Sequence, residues 1–110
     1  MESGYVRVAS TKDIELGKMK KVILEDKAVL IVNFEGVYYA VDIVCTHYGG
    51  DLSEGSLEGY IITCPVHKAR FDVTTGKVIS PPAEALDRPD IENLPTYSLK
   101  IINQEILIKI

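Results

Sequence analysis

The sequence predicts an all-β protein, an antiparallel β-sandwich or small barrel-like domain, and three observations carry that expectation. Short apolar runs recur along the 110 residues, several alternating as half-buried strands do. Gly, Pro, Asn and Asp fall between the runs, where turns are needed. No window sustains a 3.6-residue apolar period, so no long amphipathic helix is expected. The hydrophobic fraction of 46% suffices to bury one core at this length, and residues 1–110 read as a single domain with no internal linker.

The elements follow in order. Residues 5–9 (YVRVA) alternate as a strand. Residues 11–18 (TKDIELGK) have room for one helical turn, capped by Thr11 and limited by Gly17. Strands over 18–25 and 28–35 are joined by a turn at Asp26-Lys27, and Glu35-Gly36 turns the chain into a strand over 37–44. A turn at Glu58-Gly59 leads to a strand over 60–63, and ARFDV (69–73) supplies another. Gly76 sits where a tight turn needs positive φ. Strands over 96–102 and 105–110 close the chain as a hairpin around Asn103-Gln104. The runs AVLIV (28–32) and YIIT (60–63) read as core strands. Residues 80–95 (SPPAEALDRPDIENLP) hold four prolines and no period, which reads as a long functional loop.

Bulk properties narrow the function. A net charge of −4 and a pI near 5.1 argue against nucleic acid as a partner, because phosphate binding needs a basic surface. The N-terminus lacks a basic stretch followed by an apolar one, and AVLIV is far too short to span a bilayer. A cytoplasmic, monomeric protein with no membrane partner is the expectation. In that compartment two cysteines are more often free, metal-binding or catalytic than bridged.

The chemistry is concentrated in two segments. IVCTHYGGDL (43–52) and IITCPVHKARF (61–71) contain every Cys and His of the chain. Together they read C-x-H, sixteen residues, C-x-x-H: Cys45 and His47, then Cys64 and His67. Each pair follows a strand and enters a tight loop, so parent strands lying side by side offer two thiolates and two imidazoles to one point. A single Cys near a strand end is usually structural, but here none is left over. A Cys–His nucleophile needs one pair rather than two, and no acidic partner is evident. Zinc accepts two Cys and two His, so a zinc-stabilised Cys2His2 binding module with no redox role is a real alternative. Zinc patterns pair like ligands across short gaps, whereas each loop here supplies one of each kind. That division suits two metals, as in Rieske centres, where histidines replace the cysteines on one iron of a [2Fe–2S] cluster.

On CTHYGG, CPVHKARFD and the sixteen-residue gap between the ligand pairs, the chain resembles the soluble Rieske-type ferredoxins, of the low-potential, disulfide-lacking, sulredoxin-like kind. Further support comes from TTGKV, from PPA (81–83) and from the C-terminal LPTYSLKIINQEILIKI; the likeness spans about residues 38–110. It implies a Rieske-type antiparallel β-sandwich with a small cluster-binding subdomain formed by two loops. It also implies one [2Fe–2S] cluster per chain, with Cys45 and Cys64 on the inner iron and His47 and His67 on the outer. The proline segment, with Pro81 and Pro82, would fold over the cluster, and Tyr48 would shield it. The acidic residues Glu84, Asp87, Asp90 and Glu92 read as a solvated loop face.

The resemblance further implies a one-electron carrier rather than an enzyme. Electrons would come from a reductase and pass through the histidine edge to an acceptor such as an oxygenase. Rieske proteins of the respiratory complexes join their loops by a disulfide, but those positions here are Gly50 and Val66. The same proteins aim a serine and a tyrosine hydroxyl at the cluster sulfurs, where this chain has Ala69 and Phe71. Hydrogen bonds to sulfur favour the reduced, more negative cluster, so their loss places the potential near the low end of the Rieske range, about −150 mV. Ferric iron also acidifies bound imidazole, so the potential is expected to fall with rising alkaline pH.

Overall fold

The computed structural model describes residues 4–24, 27–43, 51–65, 69–80 and 93–109. Among the described residues, ten short strands form two antiparallel sheets. They are β1 (Tyr5–Ser10), β2 (Met19–Leu24), β3 (Lys27–Phe34), β4 (Val37–Asp42), β5 (Ser56–Glu58), β6 (Ile61–Thr63), β7 (Arg70–Asp72), β8 (Val78–Ser80), β9 (Thr96–Ile102) and β10 (Glu105–Lys109). The larger sheet has the order β1-β10-β9-β4-β3-β2, and the smaller has β5-β6-β7-β8.

β3 explains why the sheets stack. Its side chains alternate between faces, yet Val29 to Val32 are all completely buried. Val29 and Ile31 join Ile106 and Ile108 in the core on one face. Leu30 and Val32 point the other way and pack with Ile62, Phe71 and Leu52 of the smaller unit. A strand covered on both faces reads as a continuous apolar run, as AVLIV does. YIIT is mixed: Ile62 is buried in the core but Tyr60 is 42% exposed, with its ring edge-on to Phe34.

Turn chemistry sets the hairpins. Glu35 and Gly36 have φ of 55° and 88°, the pair of positive values that a two-residue hairpin turn requires. Asn103 and Gln104 adopt the same form at 51° and 69°, and the Gln104 carbonyl accepts the Thr11 N–H at 2.9 Å. The first hairpin is shifted from its sequence expectation. Lys27 already pairs with Leu24, so the connection is residues 25 and 26, which lie outside the described residues.

The helical turn after β1 is a 3-10 turn over Thr11–Asp13, and its cap is Ser10 rather than Thr11. Ser10 Oγ accepts the Lys12 N–H at 3.2 Å while the Asp13 carboxylate accepts the Ser10 N–H at 2.9 Å. The chain then crosses to Asn33, a buried polar residue of the core. Asn33 Nδ2 donates to the Ile14 carbonyl at 2.9 Å and to the Tyr38 hydroxyl at 3.2 Å, and its Oδ1 accepts the Gly36 N–H at 2.9 Å. A buried amide is tolerated when its groups are so paired.

Two strands escaped the sequence reading, β5 and β8, each three residues long. Neither shows the apolar run of YIIT or the alternation of ARFDV that marked the equally short β6 and β7: SLE and VIS carry one and two apolar residues beside polar ones. At the far side of the small sheet Gly76 has the expected positive φ of 81°, and its carbonyl accepts the Leu94 N–H at 2.7 Å. The Asn93 side chain accepts the Val78 N–H at 2.9 Å. These bonds tie the chain on either side of the proline segment to each other; residues 81–92 lie outside the described residues.

Candidate metal centre

Both segments that hold the predicted ligands emerge from well-fixed bases. The first leaves β4 through buried Ile43 and returns at Asp51, and the Leu52 N–H donates to the Ile43 carbonyl at 2.9 Å. Leu52 is wholly buried and begins a 3-10 turn, Leu52–Glu54. Asp51 caps it: its Oδ1 accepts the Ser53 N–H at 2.9 Å and the Ser53 hydroxyl at 2.6 Å. Its Oδ2 lies 3.3 Å from Lys21 Nζ on β2, which ties the turn to the large sheet. The Ser53 hydroxyl foremost holds the Asp51 carboxyl below its usual range; burial, the next-largest influence, opposes it, and the Ser53 N–H and Lys21 add to the lowering.

The second segment leaves β6 at Cys64 and returns at Ala69, and the Cys64 N–H donates to the Ala69 carbonyl at 2.7 Å. Cys64 is 1% exposed and shares the buried cluster with Leu52, Ala69 and Phe71. Ala69 and Phe71, where the resemblance leads one to expect hydroxyl donors, share that buried cluster and bring no hydroxyl to it. A cavity of about 240 Å³ lies against Cys64, bounded by Glu54, Gly55, Thr63 and Pro65. A slightly larger cleft of about 280 Å³ lies at the joint of the sheets, between Tyr39, Tyr97 and Thr74, and contains none of the predicted ligands.

Of the four predicted ligands, Cys64 is described; Cys45, His47 and His67 lie outside the described residues. So do Tyr48, Gly50, Val66, Pro81, Pro82 and the acidic residues Glu84, Asp87, Asp90 and Glu92. Among the described residues no three His, Cys, Asp or Glu converge on one point, and Cys64 has no disulfide partner. What is described fits an iron–sulfur group. Cys64 offers a soft sulfur donor kept from water among Leu52, Ala69 and Phe71, with a cavity of about 240 Å³ against it.

Sequence reasoning passed over the supports of the site: Leu52, the Asp51–Ser53 cap and Gly55. A signal was present, since DLSEG places an Asp cap before the turn and a Gly just after it.

The chain matches the family model of the Rieske [2Fe-2S] domain over residues 4–98. It is 38% identical over 104 residues to the ferredoxin component of the naphthalene 1,2-dioxygenase system of Pseudomonas putida, covering 94% of this chain and 93% of that one. It is 35% identical over 97 residues to sulredoxin of Sulfurisphaera tokodaii, covering 87% and 89%. Its fold superposes with a TM-score of 0.83, at 25% identity, on a chain in the complex of reduced oxygenase and oxidised ferredoxin of carbazole 1,9a-dioxygenase, covering 98% and 94%. The zinc-module alternative finds no support among these relatives. With its two antiparallel sheets and a buried cysteine at the base of the second loop, the chain belongs to the Rieske [2Fe–2S] domain family, whose cofactor is a Rieske-type [2Fe–2S] cluster.

Proposed function

We propose that this protein is a one-electron carrier that takes electrons from a reductase and passes them to an oxygenase. The Cys/His pattern on this family fold carries the reading. Cys45 and Cys64 hold one iron as thiolates, and His47 and His67 hold the other through imidazole nitrogen. The cluster supplies reversible one-electron chemistry at a potential above that of four-cysteine ferredoxins. The protein supplies position and exclusion of water: Leu52 and Phe71, both fully buried, wall the Cys64 side. The oxygenase as acceptor follows from the relatives, which are components of dioxygenase systems. We place the carrier in the cytoplasm as a monomeric single domain; no described helix is long and apolar enough to cross a membrane.

The test has two stages. The purified protein is expected to be red-brown, to bleach with dithionite, and then to give a rhombic EPR signal with average g below the free-electron value. The reduced protein is then mixed anaerobically with an oxidised Rieske dioxygenase and its reoxidation monitored. Colourless protein with stoichiometric zinc would overturn the electron-transfer reading. A genuine cluster that no dioxygenase reoxidises would overturn the choice of acceptor alone.

A further inference from the structure

Gly55 stands just before β5, and the β5–β6 register, which pairs Ser56 with Thr63, places it directly across from Cys64. Its φ of −87° and ψ of −160° are extended backbone that any residue adopts, so conformation does not call for glycine. Space does. A Cβ at this position would stand 2.0 Å from the Thr63 carbonyl oxygen and 3.2 Å from Pro65 Cδ, where contacts under 3.0 Å essentially never occur. The obstacle is backbone, which cannot swing aside as the end of a side chain can.

The contact joins the two loops. The Gly55 N–H donates to the Leu52 carbonyl at 3.0 Å, and the Leu52 N–H donates to the Ile43 carbonyl at 2.9 Å. Across the Gly55–Thr63 contact lies Cys64, itself bonded to Ala69. A continuous backbone path thus runs from Ile43, which opens the segment with Cys45 and His47, to Cys64 and Ala69, which bracket His67. No side chain intervenes along the step from Gly55 to Thr63.

We propose that Gly55 is a positioning residue that sets the separation of the two ligand loops, and through it the retention and electronic state of the cluster. The inference rests on the assignment of Cys45, His47, Cys64 and His67 as ligands. Each iron must draw one ligand from each loop, so one loop-to-loop distance serves both metals. A methyl group at position 55 has to move from 2.0 Å to beyond 3.0 Å from the Thr63 oxygen, a displacement of about 1 Å. Ligand sets tolerate about half of that before geometry is lost.

The test compares Gly55→Ala with Gly17→Ala. Gly17 has φ of +75° and nothing within 4 Å of an added Cβ, so Gly17→Ala strains the fold without touching the loops. Wild type is measured first: failure to find two irons, two sulfides and a Rieske EPR signal sinks the ligand assignment, independently of the two glycine variants. For Gly55→Ala we expect cluster loss to a chelator to accelerate roughly 10- to 100-fold, as for residues supporting metal ligands. We also expect shifted g values in whatever cluster remains, at temperatures where far-UV circular dichroism shows folded protein. Gly17→Ala is expected to lower the melting temperature and leave g values and loss rate unchanged. Wild-type loss rate and g values in folded Gly55→Ala would overturn the proposal, as would equal acceleration in Gly17→Ala. Should Gly55→Ala not fold, Asp51→Ala decides, because it removes the Ser53 cap and the Lys21 tie that hold the turn carrying Gly55. Faster cluster loss there supports the proposal, and an unchanged rate overturns it.

Discussion

The two sheets of this protein are held in different ways. In the large one, β2 and β3 pair over six residues and β3 and β4 over another six, and the strands bury a core that includes Val29, Ile31, Ile106 and Ile108. In the small one, every strand has three residues. Ladders that short contribute little, so caps and turns take over. Asp51 holds Ser53, and Asp72 Oδ1 accepts both the Thr74 N–H at 2.8 Å and its hydroxyl at 2.6 Å. Gly55 and Gly76 then allow backbone to touch backbone. The large sheet buries one core among its own strands and a second, through Leu30, Val32 and Val41, against the small sheet. The small sheet is a set of loop bases whose geometry is set by local polar contacts and, when bound, by the metal.

The strongest way to break this comparison is Cys64→Ser. Complete loss of the [2Fe–2S] cluster is expected by iron analysis and EPR, while hydrogen exchange should still find β3 amides protected and those of β6 and β7 exposed. Uniform loss of protection would show that the large sheet also depends on the metal. Next in size is a matched pair in the two cores. Phe71→Ala and Ile31→Ala should each cost about 2–5 kcal/mol in a denaturant titration, since both side chains are fully buried. Phe71→Ala alone is expected to hasten cluster loss, because Phe71 packs in the cluster of side chains that contains Cys64. Equal effects on the cluster would erase the distinction between the regions.

A gentler probe leaves packing almost intact. Phe71→Tyr adds a hydroxyl beside the cluster, and the reduction potential should rise as that donor stabilises the reduced state. An unchanged potential by spectroelectrochemistry would mean the hydroxyl does not reach a sulfur. The smallest effect is expected for Asp51→Asn. The folded carboxyl titrates below its usual range, so its contribution is present above the usual aspartate pKa and is lost as pH falls through the lower folded value. The melting-temperature deficit of the variant should therefore be largest near neutrality and vanish in strong acid. It should be small, because the group is well solvated. A deficit that persists in acid would assign the role to the shape of the side chain rather than its charge.

Local chemistry by itself determined much of this protein. Alternation and turn residues are properties of neighbours in the chain, so β1, β3, β9 and β10 and the turns at Glu35-Gly36 and Asn103-Gln104 could be read directly. The Rieske family was legible for a similar reason: with two cysteines and two histidines in all, their spacing admitted few chemistries. Tertiary structure decided what local chemistry cannot reach. Strand order brings β9 beside β4 across more than fifty residues of chain, a pairing that depends on which faces remain to be covered. Only the fold made Ser10 rather than Thr11 the cap, since the choice depends on where β1 ends. The same holds for Asn33, whose amide meets Ile14 and Tyr38 only when the hairpin and the preceding segment pack together. Gly55 is the clearest case. In the sequence it is one of eight glycines; across from Cys64, it is the position where an added methyl has nowhere to go, because two backbones already occupy the space.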